Sequence, residues 1–552
     1  MRLKKIVAFF IVILLVSTYS FDSALATDWK PLKQDASHNF VVNVVGVNDV
    51  SDSLPTGSLL QFNRPNSTGY IPVACEKFGD AVCSPGRLKQ LQAGFIFPLC
   101  ETEIQSWCIK NFEVQTDSKS SSTTTFLKYV SGSTFDGNDE ISLPKGGTVS
   151  IWKYVDLQSG SEQLFAVRIR GAAIWTSGKP FFFQTVANIY PIKMIVGSQY
   201  LPDKYTQTDQ GISQIIGPKC NDAVFTDLGE CASRSDFMGG LRFSLAFKVP
   251  NFITGFISGR LQEASISSSA SDADNKIVKV SASPMKVPRL GVSLSKSQAD
   301  EIFPQMGALS SLNYRSGDTS DGLKIINQLR PIAGDVSSGF QNIWSFTIMD
   351  STNDGNPIKG VDLAGNPRID YSSKCDIPRT QLLGFVGTNA MVFDPGIPNF
   401  VNDEFVYSVA GMHFEPDGKT PYLGSYKLQI SKALASCLYK NLLVPVRALV
   451  HIISADGVDQ AILTESIKID GDYYSIDISG FTFSIPTIRV KLEYGTVGKV
   501  PPLPEPVTAN SSPIAQPKTE KPKSVVLVCV KGKVTKRILG VKPTCPTGYK
   551  KK

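Results

Sequence analysis

The stretch LFAVRIRGAAIW (residues 164–175) sets the expectation for the fold. Val167 and Ile169 alternate with Arg168 and Arg170, and apolar, β-branched and aromatic residues dominate, the pattern of a strand buried on one face. The same texture recurs in NFVVNVVGV (39–47), TVSIWKYVDL (148–157), RFSLAFKV (242–249) and FTFSIPTIRVKLE (481–493). Gly and Pro punctuate these runs, and the abundant Ser and Thr suit the surface of a β-sandwich.

Helical signals are short. In SDGLKIINQLRP, Ser320 can cap a helix whose Leu323, Ile326 and Leu329 share a face before Pro331 stops it. In SKALASCLY, Ser431 is the cap, with Leu434, Cys437 and Leu438 on one side. The sequence therefore predicts a mainly β, multi-domain, sandwich-like protein with few short helices.

A chain of 552 residues is too long for one core. The expected divisions are a signal peptide (1–26), an N-terminal β domain (27–200), a middle β domain with short helices (201–375), a C-terminal sandwich-like domain (376–499), a linker (500–524) and a tail module (525–552). SISSSASDADNK (265–276) reads as a long polar loop or an interdomain connection, and the texture changes again after Cys375. The linker VPPLPEPVTANSSPIAQPKTEKPKS holds seven prolines and almost no apolar residues, so it is expected to stay extended.

The N-terminus carries Arg2, Lys4 and Lys5 before an apolar run, Ile6 to Val16, and ends in Ala24-Leu25-Ala26. That is the pattern of a secretory signal cleaved near Thr27, with an apolar run too short to span a bilayer. No transmembrane segment is expected once it is removed. Export makes the ten cysteines meaningful, because an oxidising compartment favours disulfides. Neighbour pairing, Cys75 with Cys83, Cys100 with Cys108, Cys220 with Cys231, Cys375 with Cys437 and Cys529 with Cys545, is the simplest of about 945 connectivities. The chain has three histidines and no C-x-x-C, so the cysteines are not read as zinc ligands. No metal or other cofactor is called for.

Charge is unevenly distributed. The net charge is +7, yet residues 516–552 carry eleven Lys or Arg against Glu520 alone, for +10. Residues 1–26 add +2, which leaves residues 27–515 at −5. Lys531, Lys533, Lys536, Arg537, Lys542, Lys550, Lys551 and Lys552 are the candidate polyanion-binding residues, and the two apolar runs of the tail predict a hairpin turning at Gly532. Anionic cell-wall polymers or glycans are the expected partners, and the export signal argues against nucleic acid.

The tail VCVKGKVTKRILGVKPTCPTGYKKK resembles a C-terminal module found on secreted and cell-surface proteins of actinobacteria, with the pattern CVKGK, TK, a hydrophobic step, VKP, C-P and GYKKK. ISLPKGGTVSIWK (141–153), KALASCLYKN (432–441) and DISGFTFSIPTIRVKL (477–492) are similar to segments of exported proteins from the same bacteria. The resemblance implies a secreted, surface-associated protein and transfers neither an activity nor a catalytic residue.

Catalytic signatures are sparse: no G-x-S-x-G, H-E-x-x-H, Walker or G-x-G-x-x-G motif occurs. Ser293-Leu294-Ser295-Lys296 fits S-x-x-K but lacks a following K-T-G strand. In GMHFEPDGKTP, an extended backbone would turn His413, Glu415 and Asp417 to one face, although Pro416 and Asp417-Gly418 favour a turn. DSTNDGNPIKGVD offers Asp350, Asn353, Asp354 and Asn356 as oxygen ligands, but Val361 stands where an EF-hand needs its acid. Trp175 and Phe181-Phe182-Phe183 could stack on sugar rings or simply pack in a core. No catalytic residue is assigned. The expected function is a non-enzymatic structural, adhesion or glycan-binding protein of the cell envelope, with an extracellular hydrolase of polysaccharide or peptidoglycan as the alternative.

Overall fold

The computed structural model describes residues 40–494 and 525–551, apart from 47–55, 67–68, 80–90, 104, 117–120, 158, 177–178, 210, 216, 304–310, 317–320, 350–374, 379, 394–397, 441–442, 454–458, 466, 484–486, 532–533 and 541–549. The chain is mainly β, with three short helices among the described residues. LFAVRIRGAAIW lies within the strand Glu162–Thr176, which pairs along its length with Lys179–Val196. Phe165, Val167 and Ile169 point into a core, whereas Arg168 and Arg170 occupy the other face.

Two sandwiches are built on one continuous run of strands. Leu91–Ile96, Glu162–Thr176, Lys179–Val196, Gly339–Met349 and Phe256–Ala270 pair antiparallel in that order. Phe256–Ala270 then pairs parallel with Gly384–Thr388, which continues antiparallel into Leu423–Ser431 and Tyr473–Thr482. Over the first part lies a layer containing Cys108–Gln115, Arg242–Pro250 and Asn275–Leu294. Edge-to-face packing of Phe165 against Phe112 (5.8 Å) and Phe243 (5.1 Å) joins the two layers. Over the second part lies a sheet of Val392–Phe393, Glu404–Ala410, Thr487–Tyr494, Pro445–Ile453 and Asp459–Glu465. Its core includes Tyr407 against Tyr426, 5.1 Å apart.

The structure changes several sequence expectations. Strand pairings cross residues 200 and 375, and the compact units are Met1–Tyr494 and Gly495–Lys552, so the expected three-domain division of the body does not coincide with compact units. SISSSASDADNK is not a loop: Ser265–Ala270 pairs with Lys276–Ser281, leaving only a tight turn at Ser271–Asp274. Asp272 closes that turn by accepting from the amides of Asp274 (3.0 Å) and Asn275 (2.8 Å). The partner strand supplies Ile277, Val278 and Val280, so pairing overrides the weak strand propensity of serine. FTFSIPTIRVKLE divides between Tyr473–Thr482 and Thr487–Tyr494, which belong to different sheets.

Of the two expected helices, Lys432–Tyr439 follows its capping signal closely. Asp321–Ile332 buries Ile326 and Leu329 and includes Pro331 in its last turn, while Ser320 lies outside the described residues. Ser431 caps Lys432–Tyr439 by accepting from the Leu434 amide at 3.2 Å. Disulfides join Cys100 to Cys108, Cys220 to Cys231 and Cys375 to Cys437. The last spans 62 residues in sequence, and closing such a loop stabilises by about 4 kcal/mol in the chain-entropy account. Cys75 is also disulfide-bonded; Cys83 and Cys545 lie outside the described residues.

In the second unit, Val525–Lys531 pairs with Val534–Gly540 in a register that leaves Gly532 and Lys533 between the strands. Lys550–Lys551 adds a third strand that the sequence reading did not anticipate. Cys529 stands opposite Lys536 on one side and Lys551 on the other, while Val528 faces Arg537. Among the described residues no helix is long and apolar enough to cross a membrane.

Candidate functional site

A groove of about 730 Å³ opens where the two sandwiches meet. Its apolar lining comes from Leu261, Met285, Tyr422, Leu423 and Ile478, and its polar lining includes Glu263, Lys286, Asn389, Glu415 and Asp477. A volume within roughly 300–1,000 Å³ suits a small-molecule or short-oligomer ligand.

Glu263 reaches the groove through a backbone irregularity. Gln262 faces Ser283 and Ser265 faces Ser281, so two residues, Glu263 and Ala264, stand against the single intervening partner. At φ 52°, Glu263 occupies the left-handed region. Such bulges redirect a side chain at the cost of local strain, and they favour edges and functional sites. A second bulge separates Gly424 from Ser425 opposite Gly480, whose φ of 84° glycine adopts freely.

Several buried contacts hold the groove in shape. Arg260, in the strand before the Glu263 bulge, donates to the carbonyls of Thr388 (3.0 Å), Ala390 and Met391 (3.0 Å) and stacks over Phe393 at 4.3 Å. That fixes the turn bearing Asn389, whose amide donates to Leu423 O (3.0 Å) and accepts from Ser425 N (2.7 Å). Tyr422 Oη shares its proton between the carbonyls of Lys286 (3.1 Å) and Asn389 (3.4 Å). Burial pushes the Tyr422 hydroxyl above its ordinary range and keeps it a neutral donor. Lys286 Nζ sits 3.7 Å from the centre of the Phe340 ring.

The acids are in different states. Asp477 is paired with Lys427 (3.2 Å) and Lys468 (3.1 Å). The carboxylates of Glu263 and Glu415 have no hydrogen-bond or ion-pair partner among the described residues, and so can accept from a ligand.

Of the sequence candidates among the described residues, only Glu415 reaches this groove. His413 turns to Asp335, which accepts from its backbone amide at 3.0 Å and pairs with its Nδ1. Asp417 folds back on its own turn, accepting from the Thr420 hydroxyl and from the amides of Lys419 and Thr420, both 2.8 Å, which hold its carboxyl at about 2. The shared face expected for the three residues is therefore lost to the turn that Pro416 and Gly418 favour. Ser293 lies in the strand Asn275–Leu294, Ser295 caps the helix Lys296–Ile302 and Lys296 pairs with Asp300, so no serine–lysine site forms. Trp175 is buried and donates to Ile141 O at 2.7 Å, so it is core rather than a sugar platform. The backbone of Phe181-Phe182-Phe183 belongs to Lys179–Val196, with the side chains outside the described residues. DSTNDGNPIKGVD also lies outside them, as do Lys533, Lys542 and Lys552 of the tail. Glu263 was missed because nothing in its local sequence marks a bulge.

No protein-family model matches the chain, and no curated protein matches it.

Left-handed backbone costs an ordinary residue about 1–2 kcal/mol, a penalty from which glycine is exempt. Glu263→Gly is therefore expected to be more stable than Glu263→Ala by about 1 kcal/mol in urea unfolding. Equal stabilities would show that the bulge does not impose this conformation.

Proposed function

We propose that this chain is a secreted, surface-retained protein that binds glycan in the groove at the junction of its sandwiches. The observation that carries the reading is the pairing of an apolar floor with two unpartnered carboxylates, Glu263 and Glu415. A sugar ring has matching chemistry, with C–H faces for Leu261 and Met285 and hydroxyls that donate to carboxylates. The frame built by Arg260, Asn389 and Tyr422 supports binding, because a preformed groove has little ordering entropy to lose.

The same carboxylates favour a second reading, a hydrolase of polysaccharide or peptidoglycan in which one acts as acid and the other as base or nucleophile. Incubation with chitin oligosaccharides, β-glucan oligosaccharides and soluble peptidoglycan fragments separates the two by measuring binding and reducing-end release. Binding without release, weakened at least tenfold in Glu263→Gln and Glu415→Gln, is expected. Release abolished by both substitutions would replace binding with hydrolysis, and absence of both would remove the groove from the account.

Retention is assigned to the tail. The region 516–552 carries +10 against −5 in residues 27–515, so a salt-screened attraction to anionic wall polymers acts through one end of the chain. The full chain is expected in the wall-bound fraction at low salt and a chain ending at Val500 in the medium, with high salt releasing the former. Equal partitioning of both would sink the assignment.

A further inference from the structure

The charged groups that line the groove are unevenly committed. Glu263, Glu415 and Asp477 supply three carboxylates, and Lys286 and Lys427 supply two ammonium groups. Both lysines are held by other partners: Lys427 Nζ pairs with Asp477 at 3.2 Å, and Lys286 Nζ sits 3.7 Å from the centre of the Phe340 ring. Asp477 also takes Lys468, at 3.1 Å. Glu263 is exposed and Glu415 half-buried, and neither carboxylate has a hydrogen-bond or ion-pair partner among the described residues. The charge that the groove leaves open to contact is therefore negative.

The nearby guanidiniums do not cancel it by contact. Burial lowers the proton affinity of Arg242 and the Glu263 charge opposes that shift, which places the two within electrostatic reach. The Arg242 Nη2 nevertheless donates to Ser281 O (2.8 Å), and no ion pair joins it to Glu263. Arg260 is committed to the carbonyls of Thr388, Ala390 and Met391, and Arg289 donates to Gln341 Oε1 at 3.0 Å. At 1% and 0% exposed, Arg260 and Arg289 are closed to a ligand in the groove.

The open acids line a cavity of about 730 Å³ with an apolar floor, not a flat acidic surface. A ligand can meet such a carboxylate in two ways. A neutral sugar donates a hydroxyl, whereas an amino sugar also brings a positive charge on the same ring. The C–H face of that ring suits Leu261 and Met285 in either case. An exposed carboxylate–ammonium pair strengthens binding by about fivefold at most. In a preformed groove that gain does not require breaking a pair within the protein.

We propose that the groove selects glycans carrying free amino groups, with Glu263 and Glu415 as the specificity-determining residues that pair with the ammonium groups of the ligand. The inference rests on the glycan-binding reading and adds to it the charge of the ligand.

The test uses the full chain and oligomers of glucosamine, N-acetylglucosamine and glucose of equal length, with trilysine as a cation that is not a sugar. Affinities are measured by calorimetric titration at low and high salt, at a pH where the amines are protonated and the carboxylates ionised. Wild type is expected to bind the glucosamine oligomer roughly three- to tenfold more tightly than the other two sugars at low salt, with high salt narrowing the gap. Glu263→Gln and Glu415→Gln keep an acceptor oxygen and lose the charge, so each should shrink that ratio and the double substitution should bring it near one. A purely structural role for the acids would lower all affinities together and leave the ratio unchanged. Equal binding of the three oligomers to wild type, or a ratio untouched by the double substitution, overturns the proposal while leaving glycan binding in place. Trilysine binding as tightly as the glucosamine oligomer also overturns it, because charge alone would then suffice. Failure of every oligomer to bind removes the glycan reading and this inference with it.

Discussion

The guanidinium of Arg260 on the carbonyls of Thr388, Ala390 and Met391 is the contact on which the junction of the protein depends. Arg260 sits in Phe256–Ala270, the strand that belongs to the first sandwich through Gly339–Met349 and Asn275–Leu294 and reaches the second through Gly384–Thr388. The chain leaving Gly384–Thr388 must turn from one sheet of the second sandwich toward Val392–Phe393 in the other, which exposes carbonyls that no strand can satisfy. A buried backbone acceptor left unmade costs about 1–3 kcal/mol, and one planar donor group serves three of them. With the turn fixed, Asn389 and Tyr422 can stitch Leu423–Ser431 and Asn275–Leu294 to it, and the groove acquires its floor.

Three residues beyond Arg260 the same strand departs from regular pairing. The bulge at Glu263 gives up ladder regularity and relaxed dihedrals to present a carboxylate at the sandwich junction. Arg260, which holds the turn, and the bulge at Glu263 are thus successive features of one strand.

The strands were legible because burial leaves a period of two. Phe165, Val167 and Ile169 show it in their residue types, as do Phe243, Leu245, Phe247 and Val249 of Arg242–Pro250, and the Ser431 cap was equally local. Ser265–Ala270 was illegible as a strand because its stability resides in a partner, Lys276–Ser281, whose pairing composition does not encode. The groove was less legible still. Its residues come from five separate stretches between Leu261 and Ser479, and long-range pairing alone brings them together. Glu415 was selected by alternation with His413 and Asp417, yet it reaches the groove because the local turn sends the other two elsewhere. The tail hairpin was readable from two apolar runs around Gly532, whereas its third strand, only Lys550–Lys551, has no apolar signal at all.

A double-mutant cycle between Arg260→Met and Asn389→Ala, read by urea unfolding, tests the dependence of the groove frame on Arg260 most directly. Residues in one hydrogen-bond network couple by about 0.5–3 kcal/mol, whereas independent sites add within about 0.3–0.5 kcal/mol. Loss of Arg260 should release the 388–391 turn and make the Asn389 substitution cost at least about 1 kcal/mol less than it does alone. Additivity of the two substitutions would contradict the account, leaving Arg260 as a local contact that does not hold the groove.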